Sequence, residues 1–326
     1  MTEGNETPIG AVRTDGTEKE EATVLRAFAQ FAKSASPYLV NPKTPDVAII
    51  TSQAAQFSVL QEFQIAAQRT SVRALAYGSR IEPYVIAENQ IAKLGQPKLA
   101  ILPSAQLLRE STWQTLLAYV ASGGQLLITG PINRNEHFEA IDRTAQLKLG
   151  GTVEPLTYHE ATIALPVPGS GSGRPKQNSP SNTAKPLTLD FDQNAQNWLE
   201  SVRFTDNATF KEIPHGQGRI FWTSYPVELS GDPDSATELY NYVLDKISLK
   251  PAYELRKPVS SGVLIYRTAL QDATMYIAIS DSASDSQIDL IDGLTKARLT
   301  FTLPSEHAAI AIIDNKTGRV AAQYGF

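Results

Sequence analysis

Apolar residues recur at helical spacing near the start of the chain, where Val24, Leu25, Phe28, Phe31, Ala32 and Ala35 share one stripe. Thr17 and Glu20 have the T-x-x-E spacing of a capping box, and Ser36-Pro37 is a stop, so the pattern predicts a helix over about 17–35. Residues 1–16 are polar and read as a lead-in. From Asp46 the pattern changes. DVAIIT (46–51), KLAILP (98–103) and QLLITG (125–130) are short apolar runs suited to strands buried on both faces, and PYVIA (83–87) is a weaker one. Between them lie helical patterns. One runs from about Phe57 to Tyr77 through Val59, Leu60, Phe63, Ala66 and Ala67. Another carries Trp113, Leu116, Leu117 and Val120, with Ser111 as its expected cap and Gly123-Gly124 as its end. Strand, helix and strand in this rhythm form βαβ units, which require a mostly parallel sheet with right-handed crossovers.

Residues 166–186 break the rhythm. Pro, Gly and Ser fill 12 of these 21 positions, beside Arg174, Lys176 and Lys185 and no acid, which reads as a flexible surface insertion. The α/β pattern then resumes. GRIFWTSYPVEL (218–229) is a strand and turn, and Asp234 is the expected cap of a helix carrying Leu239, Tyr240, Val243, Leu244 and Ile247. After Pro251 helical signals stop. Six strand candidates follow, at 262–267, 274–280, 287–291, 297–303, 308–314 and 319–324, with strict alternation from Ala297 to Leu303. They predict a small antiparallel β-sandwich. The expected division is therefore 1–43, 44–251 and 252–326.

The 326 residues are 42% apolar and 19% charged, enough for about two packed domains. A formal net charge of -5 argues against a protein that grips nucleic acid through phosphates. There is no cysteine, which removes disulfides, thiolate metal sites and a thiol nucleophile. No apolar run approaches a membrane-spanning length, and the acidic N-terminus is not a secretory signal. With neither, a cytoplasmic setting is the default expectation.

Candidate chemistry is sparse. A nucleophile elbow is expected just after a buried strand, but TGPINRN (129–135) offers only Thr129, with Pro131 removing an N–H where an oxyanion donor belongs. The four histidines, His137, His159, His215 and His307, show no metal spacing. His137 and His159 have acidic neighbours in sequence and read as surface pairs. GSGSGRP (169–175) resembles a glycine-rich loop but neither follows a strand nor opens a helix. Asp281, Asp285, Asp289 and Asp292 miss the calcium-loop template. Trp198 is a candidate sugar-stacking ring, and Trp222 reads as core. No catalytic, metal or cofactor residue is assigned, and no cofactor is expected.

The order of the pieces carries more than any motif. RTDGTEKEEATVLRAFAQFA (13–32) is similar to the final barrel helix and exit of glycoside hydrolase family 42 β-galactosidases. DVAII (46–50), KLAILPSAQLL (98–108), YVASGGQLLITGP (119–131), HGQGRIFWTSYP (215–226) and LYNYVLDKISLKP (239–251) resemble that family's second domain, and GVLIYRTALQDATMYIAIS (262–280) resembles its small C-terminal β domain. The resemblance implies a flavodoxin-like trimerisation domain, related to class I glutamine amidotransferases without their cysteine, followed by a β-sandwich. It implies a C-terminal portion of such an enzyme, from a truncated or split gene or as a fragment, because the family's catalytic glutamates lie in a TIM barrel that would precede residue 13. The implied partners are that barrel and further copies of the chain, as a trimer, and neither nucleic acid nor membrane. The 166–186 insertion departs from the family's pattern. Two other readings stand beside this one: an independent hydrolase or amidotransferase-like enzyme with a Ser or Thr nucleophile, and a carbohydrate-binding module using aromatics such as Trp198.

Overall fold

The structure is a computed structural model that describes residues 10–13, 15–156, 160–166, 185–191 and 198–326. The chain divides into two compact units. One is Pro45–Pro251; the other joins the stretch up to Thr44 to Ala252–Phe326. The first helix, α1 (Glu20–Ala35), belongs to the second of these.

Four apolar runs build the centre of the Pro45–Pro251 unit: β1 (Val47–Thr51), β2 (Pro83–Ala87), β3 (Leu99–Leu102) and β4 (Gln125–Thr129). Alternate residues of a strand point to opposite faces, so one run feeds two cores. In β1, Val47 and Ile49 enter one cluster while Ala48 and Ile50 enter the other. The intervening helices are α2 (Gln53–Gln56), α3 (Gln61–Arg73), α4 (Glu110–Ala121) and α5 (Arg143–Gln146). A π-helical turn, Ala74–Ser79, extends α3. Next come β5 (Gly151–Pro155), β6 (Glu160–Leu165), β7 (Lys185–Asp190), β8 (Glu200–Phe204), β9 (Phe210–His215) and β10 (Gly218–Thr223), and then α6 (Pro233–Lys246). The main sheet has six strands in the order β2-β1-β3-β4-β10-β9, parallel throughout except that β9 returns antiparallel on β10 at the edge. Two antiparallel pairs, β5-β8 and β6-β7, lie outside it. The flanks of the 166–186 segment thus pair with each other, while residues 167–184 themselves fall outside the described set.

Close packing explains the GxG of HGQG. A Cβ on Gly218 would stand 2.0 Å from the Gly124 carbonyl oxygen and 2.3 Å from that of Val120, where β10 starts against the end of α4. Gly216 has a positive φ of 59°, and a Cβ there would meet the Ala121 backbone at 2.5 Å.

Several helix starts differ from the sequence expectation. Helix α1 begins at Glu20 with Lys19 as its cap, because the Thr17 hydroxyl and N–H are both bound to Asp15 in a preceding turn. Arg109, not Ser111, caps α4, and its N–H donates to the Glu88 carboxylate at 2.8 Å. Asp232 caps α6 by accepting the Asp234 N–H, with Pro233 in the first turn. The buried side of α3 takes in polar residues beside the apolar stripe: Gln64 and Ser71 are buried with Ala67, Leu60 is buried just before the helix and Phe63 packs on the core, while Val59 and Ala66 are exposed. Of these, Ser71 meets a polar cluster described below.

In the other unit, β11 (Tyr253–Leu255), β12 (Val263–Ala269), β13 (Ala273–Ser280), β14 (Ser286–Asp292), β15 (Arg298–Leu303), β16 (Ala308–Asp314) and β17 (Val320–Tyr324) form two antiparallel sheets. Sheet β11-β14-β15 faces sheet β12-β13-β16-β17 across a core that includes Tyr253, Ile265, Tyr276, Ile288, Leu299 and Ile313. The sandwich holds a buried carboxylate. Asp292 accepts from the Tyr276 hydroxyl at 2.6 Å, from the Thr295 N–H and hydroxyl at 2.7 and 2.9 Å, and from Arg267 Nε at 3.3 Å. Burial pushes this carboxyl up, but those donors together hold it below the ordinary aspartate value. The outer face of the four-stranded sheet is covered by α1: Phe31 and Ala35 are buried against Ile312 and Ala322, and Phe28 meets the Tyr324 ring edge-on at 5.4 Å. Val24, Leu25 and Phe28 remain 46–59% exposed on the same helix.

Candidate functional site

Ligands of open α/β sheets bind beyond the carboxyl ends of the parallel strands, so those ends are the place to look. Here they carry two buried carboxylates. Glu88, just after β2, accepts through one oxygen from the Ser52 hydroxyl (3.2 Å) and the N–H groups of Gln53 (2.7 Å) and Ala54 (3.3 Å), and through the other from Arg109 N–H. It ties the end of β1 to the start of α4 and leaves no oxygen idle.

The second carboxylate is Glu228, in the 3₁₀ turn Val227–Leu229 that follows β10. Thr129 Oγ1 and Ser104 Oγ donate to its Oε2 at 2.5 and 2.7 Å, and the Tyr240 hydroxyl oxygen lies 2.6 Å from its Oε1. Tyr240 in turn is 2.7 Å from Ser71 Oγ, which donates to the Ala67 carbonyl at 2.8 Å. The cluster thus spans the ends of β3 and β4, helices α3 and α6, and the turn after β10. Burial pushes the Glu228 carboxyl above the usual glutamate range and the Tyr240 phenol well above its own.

Ser104 is the elbow that the sequence did not reveal. It follows β3 and holds a left-handed backbone, φ 47°, unusual for a residue with a side chain. Its N–H donates to Thr129 Oγ1 at 2.9 Å. This is strand-end geometry suited to presenting a hydroxyl, yet the hydroxyl is turned inward onto Glu228. The space beside it, lined by Ala55, Leu60, Phe63, Gln64, Ser104, Gln106 and Leu229, amounts to about 10 Å³, room for roughly one water. No acyl substrate fits there. Thr129, the expected elbow position, is fully buried and serves the same cluster.

The remaining candidates are scattered. His137 lies in the loop after β4, His215 at the β9–β10 turn, and His307 in the sandwich unit with Nδ1 2.7 Å from the Ser305 carbonyl; His159 lies outside the described residues, as does GSGSGRP. Of the four aspartates, Asp289 pairs with Arg298 through two contacts of 2.8 Å, Asp292 is the buried acceptor above, and Asp285 accepts from Ser305 N–H at 3.0 Å. Among the described residues no group of three or more His, Asp or Glu is placed to hold a metal ion. Trp222 is core and donates its indole N–H to the Gly130 carbonyl at 2.8 Å. Trp198 is 51% exposed, its carbonyl held by Gln106 Nε2. A further hollow of about 180 Å³ is lined by Arg143, Asp142, Thr144, Trp222 and five neighbours without polar side chains, but Arg143 donates inward, to the carbonyls of Leu108 (2.7 Å), Arg134 (3.2 Å) and Ile132 (3.3 Å). No helix among the described residues is long and apolar enough to cross a membrane.

No family model and no curated protein matches the sequence. Solved structures do match in fold. The β-galactosidase from Bacillus circulans sp. alkalophilus aligns with 93% of this chain and 46% of its own, at 13% identity and a TM-score of 0.62. The chain has the fold of part of a β-galactosidase. The cold-adapted β-galactosidase from Rahnella sp. R3 gives 94% and 46% coverage, 16% identity and a TM-score of 0.59. The α-L-fucosidase isoenzyme 2 from Paenibacillus thiaminolyticus gives 92% and 53%, 13% identity and 0.53. The chain therefore spans about half the length of the structures it resembles.

Proposed function

We propose that this chain is the non-catalytic, C-terminal assembly portion of a β-galactosidase-like glycoside hydrolase, built to associate with a catalytic TIM barrel and with copies of itself, as a trimer. The observation that carries the reading is coverage: nearly all of this chain aligns with slightly under half of enzymes that are named for galactoside cleavage. The strand order 2-1-3-4 followed by β10 is that of flavodoxin-like folds, which supports reading the Pro45–Pro251 unit as the trimerisation-type domain. The closed carboxyl end of the sheet supports a structural role for that domain, and fold alone would not. The exposed apolar face of α1 suits a helix that has a second partner to cover it.

The purified chain, given a chromogenic β-galactoside, is expected to show no turnover. Measurable turnover that survives removal of contaminants overturns the reading. A barrel segment added in trans is expected to shift its mass in light scattering. The independent-hydrolase reading has one observation in its favour, the left-handed Ser104 elbow, and an acyl-enzyme trapped on Ser104 by a fluorophosphonate would establish it.

A further inference from the structure

Hydrogen counting in the Glu228 cluster leads further. Five short oxygen–oxygen contacts run through it: Ser71 to the Ala67 carbonyl, Tyr240 to Ser71, Tyr240 to Glu228 Oε1, and Thr129 and Ser104 to Glu228 Oε2. Each needs a proton between its oxygens. Ser71, Tyr240, Thr129 and Ser104 bring one hydroxyl proton apiece, which makes four. Once the Ser71 proton is on Ala67, the Tyr240 proton must go to Ser71. The 2.6 Å contact between Tyr240 and Glu228 is then left with none, and two facing lone pairs would repel.

We infer that Glu228 is kept as a neutral carboxylic acid that donates from Oε1 to Tyr240, making the cluster a proton-dependent latch across the carboxyl end of the sheet. The latch joins the ends of β3 and β4, helices α3 and α6 and the turn after β10 through a single proton. Among its contacts the titratable group is Tyr240 on α6; α3 contributes Ser71, and the ends of β3 and β4 contribute Ser104 and Thr129, none of them charged. The desolvation that pushes the carboxyl up agrees with the count. This assignment rests on the cluster's geometry and stands whether or not the chain belongs to a glycosidase.

Glu228→Gln tests it. The amide copies the proposed acid, with its NH₂ donating toward Tyr240 and its carbonyl accepting from Thr129 and Ser104, so the variant is expected to fold. Infrared difference spectra of wild type minus Glu228→Gln at pH 7 should contain the carbonyl stretch of one protonated carboxylic acid; its absence overturns the inference. The pH dependence has a definite sign. A glutamate whose folded value is raised stabilises fully below its unfolded value, and that contribution is lost as pH rises toward the folded one. The wild-type unfolding constant, divided by that of Glu228→Gln, should therefore rise about tenfold per pH unit above roughly pH 4.5, until the acid ionises in the folded state. A ratio that stays flat from pH 5 to 9 overturns the inference. If the variant does not fold, the acid carbonyl band of the wild type, followed from pH 6 upward, decides alone: presence at pH 6 supports the latch and absence refutes it.

Discussion

Replacing Gly218 by Ala would add one methyl where the structure has no space for it. The new Cβ would lie 2.0 and 2.3 Å from two carbonyl oxygens, those of Gly124 and Val120, and 3.1 Å from the Gly123 carbonyl carbon. All three are backbone atoms at the end of α4, so no flexible side chain can swing away. Either α4 or the start of β10 must shift. Overpacking of this kind costs about 1–3 kcal/mol. The shift also strains the Arg219 N–H bond to the Gly124 carbonyl, 3.3 Å long, which contributes about 1 kcal/mol. The expected loss is about 2–4 kcal/mol. Gly231→Ala is the matched control, because its Cβ would meet only the Asp190 carbonyl oxygen at an ordinary 3.6 Å and its φ is not positive; it should change stability by less than about 1 kcal/mol. The chain's three tryptophans, Trp113, Trp198 and Trp222, all lie in the Pro45–Pro251 unit, so their emission reports that unit's unfolding alone. With a urea slope of about 2–3 kcal/mol/M, Gly218→Ala should lower the midpoint by roughly 1 M and Gly231→Ala should leave it in place. Equal midpoints for the two variants would refute the packing argument.

Three other outcomes follow from the same structure. In the sandwich unit, the Asp292 carboxyl is held below its ordinary value, so its contribution is complete above about pH 4 and disappears as pH falls through the folded value; Asp292→Asn should be less stable at pH 7 and less sensitive to acid, as read from tyrosine near-ultraviolet dichroism. Arg143→Ala would take the guanidinium donor from the Leu108 and Ile132 carbonyls, while the Arg134 carbonyl keeps the Leu108 N–H, and should lower stability by about 2–3 kcal/mol, checked by urea unfolding followed through Trp113, whose ring lies 5.8 Å from the guanidinium carbon. On α1, Phe31→Ala should cost about 3 kcal/mol in thermal unfolding of the sandwich unit, while Leu25→Lys on the exposed side should stay within about 0.5 kcal/mol; a comparable loss at both would show that the helix does not dock as described.

What could be read from the sequence was what a single period betrays. β1, β3, β4 and β10 are continuous apolar runs, and strands buried on both faces look like that. β5 and β9 escaped because GTVEP and FKEIPH have little buried surface and no alternation, and the three-residue β11 is too short to show any. Helix α3 was legible only in part: Leu60, Phe63 and Ala67 turn inward as their spacing implies, but Gln64 and Ser71 are buried with them and Val59 and Ala66 stay exposed. The Glu228 cluster was invisible for a different reason. Ser104 and Glu228 are 124 positions apart, and Ser71 and Tyr240 are 169 apart. No spacing rule reaches that far, and Ser104 reveals itself only through a backbone angle.

Helix α1 and strand β17 have an awkward history in time. The helix is synthesised before the strand it leans on, which follows roughly 285 residues later, a wait of about 15–60 s at ordinary translation speeds. Throughout that interval Phe31 and Ala35 have no sheet to rest on.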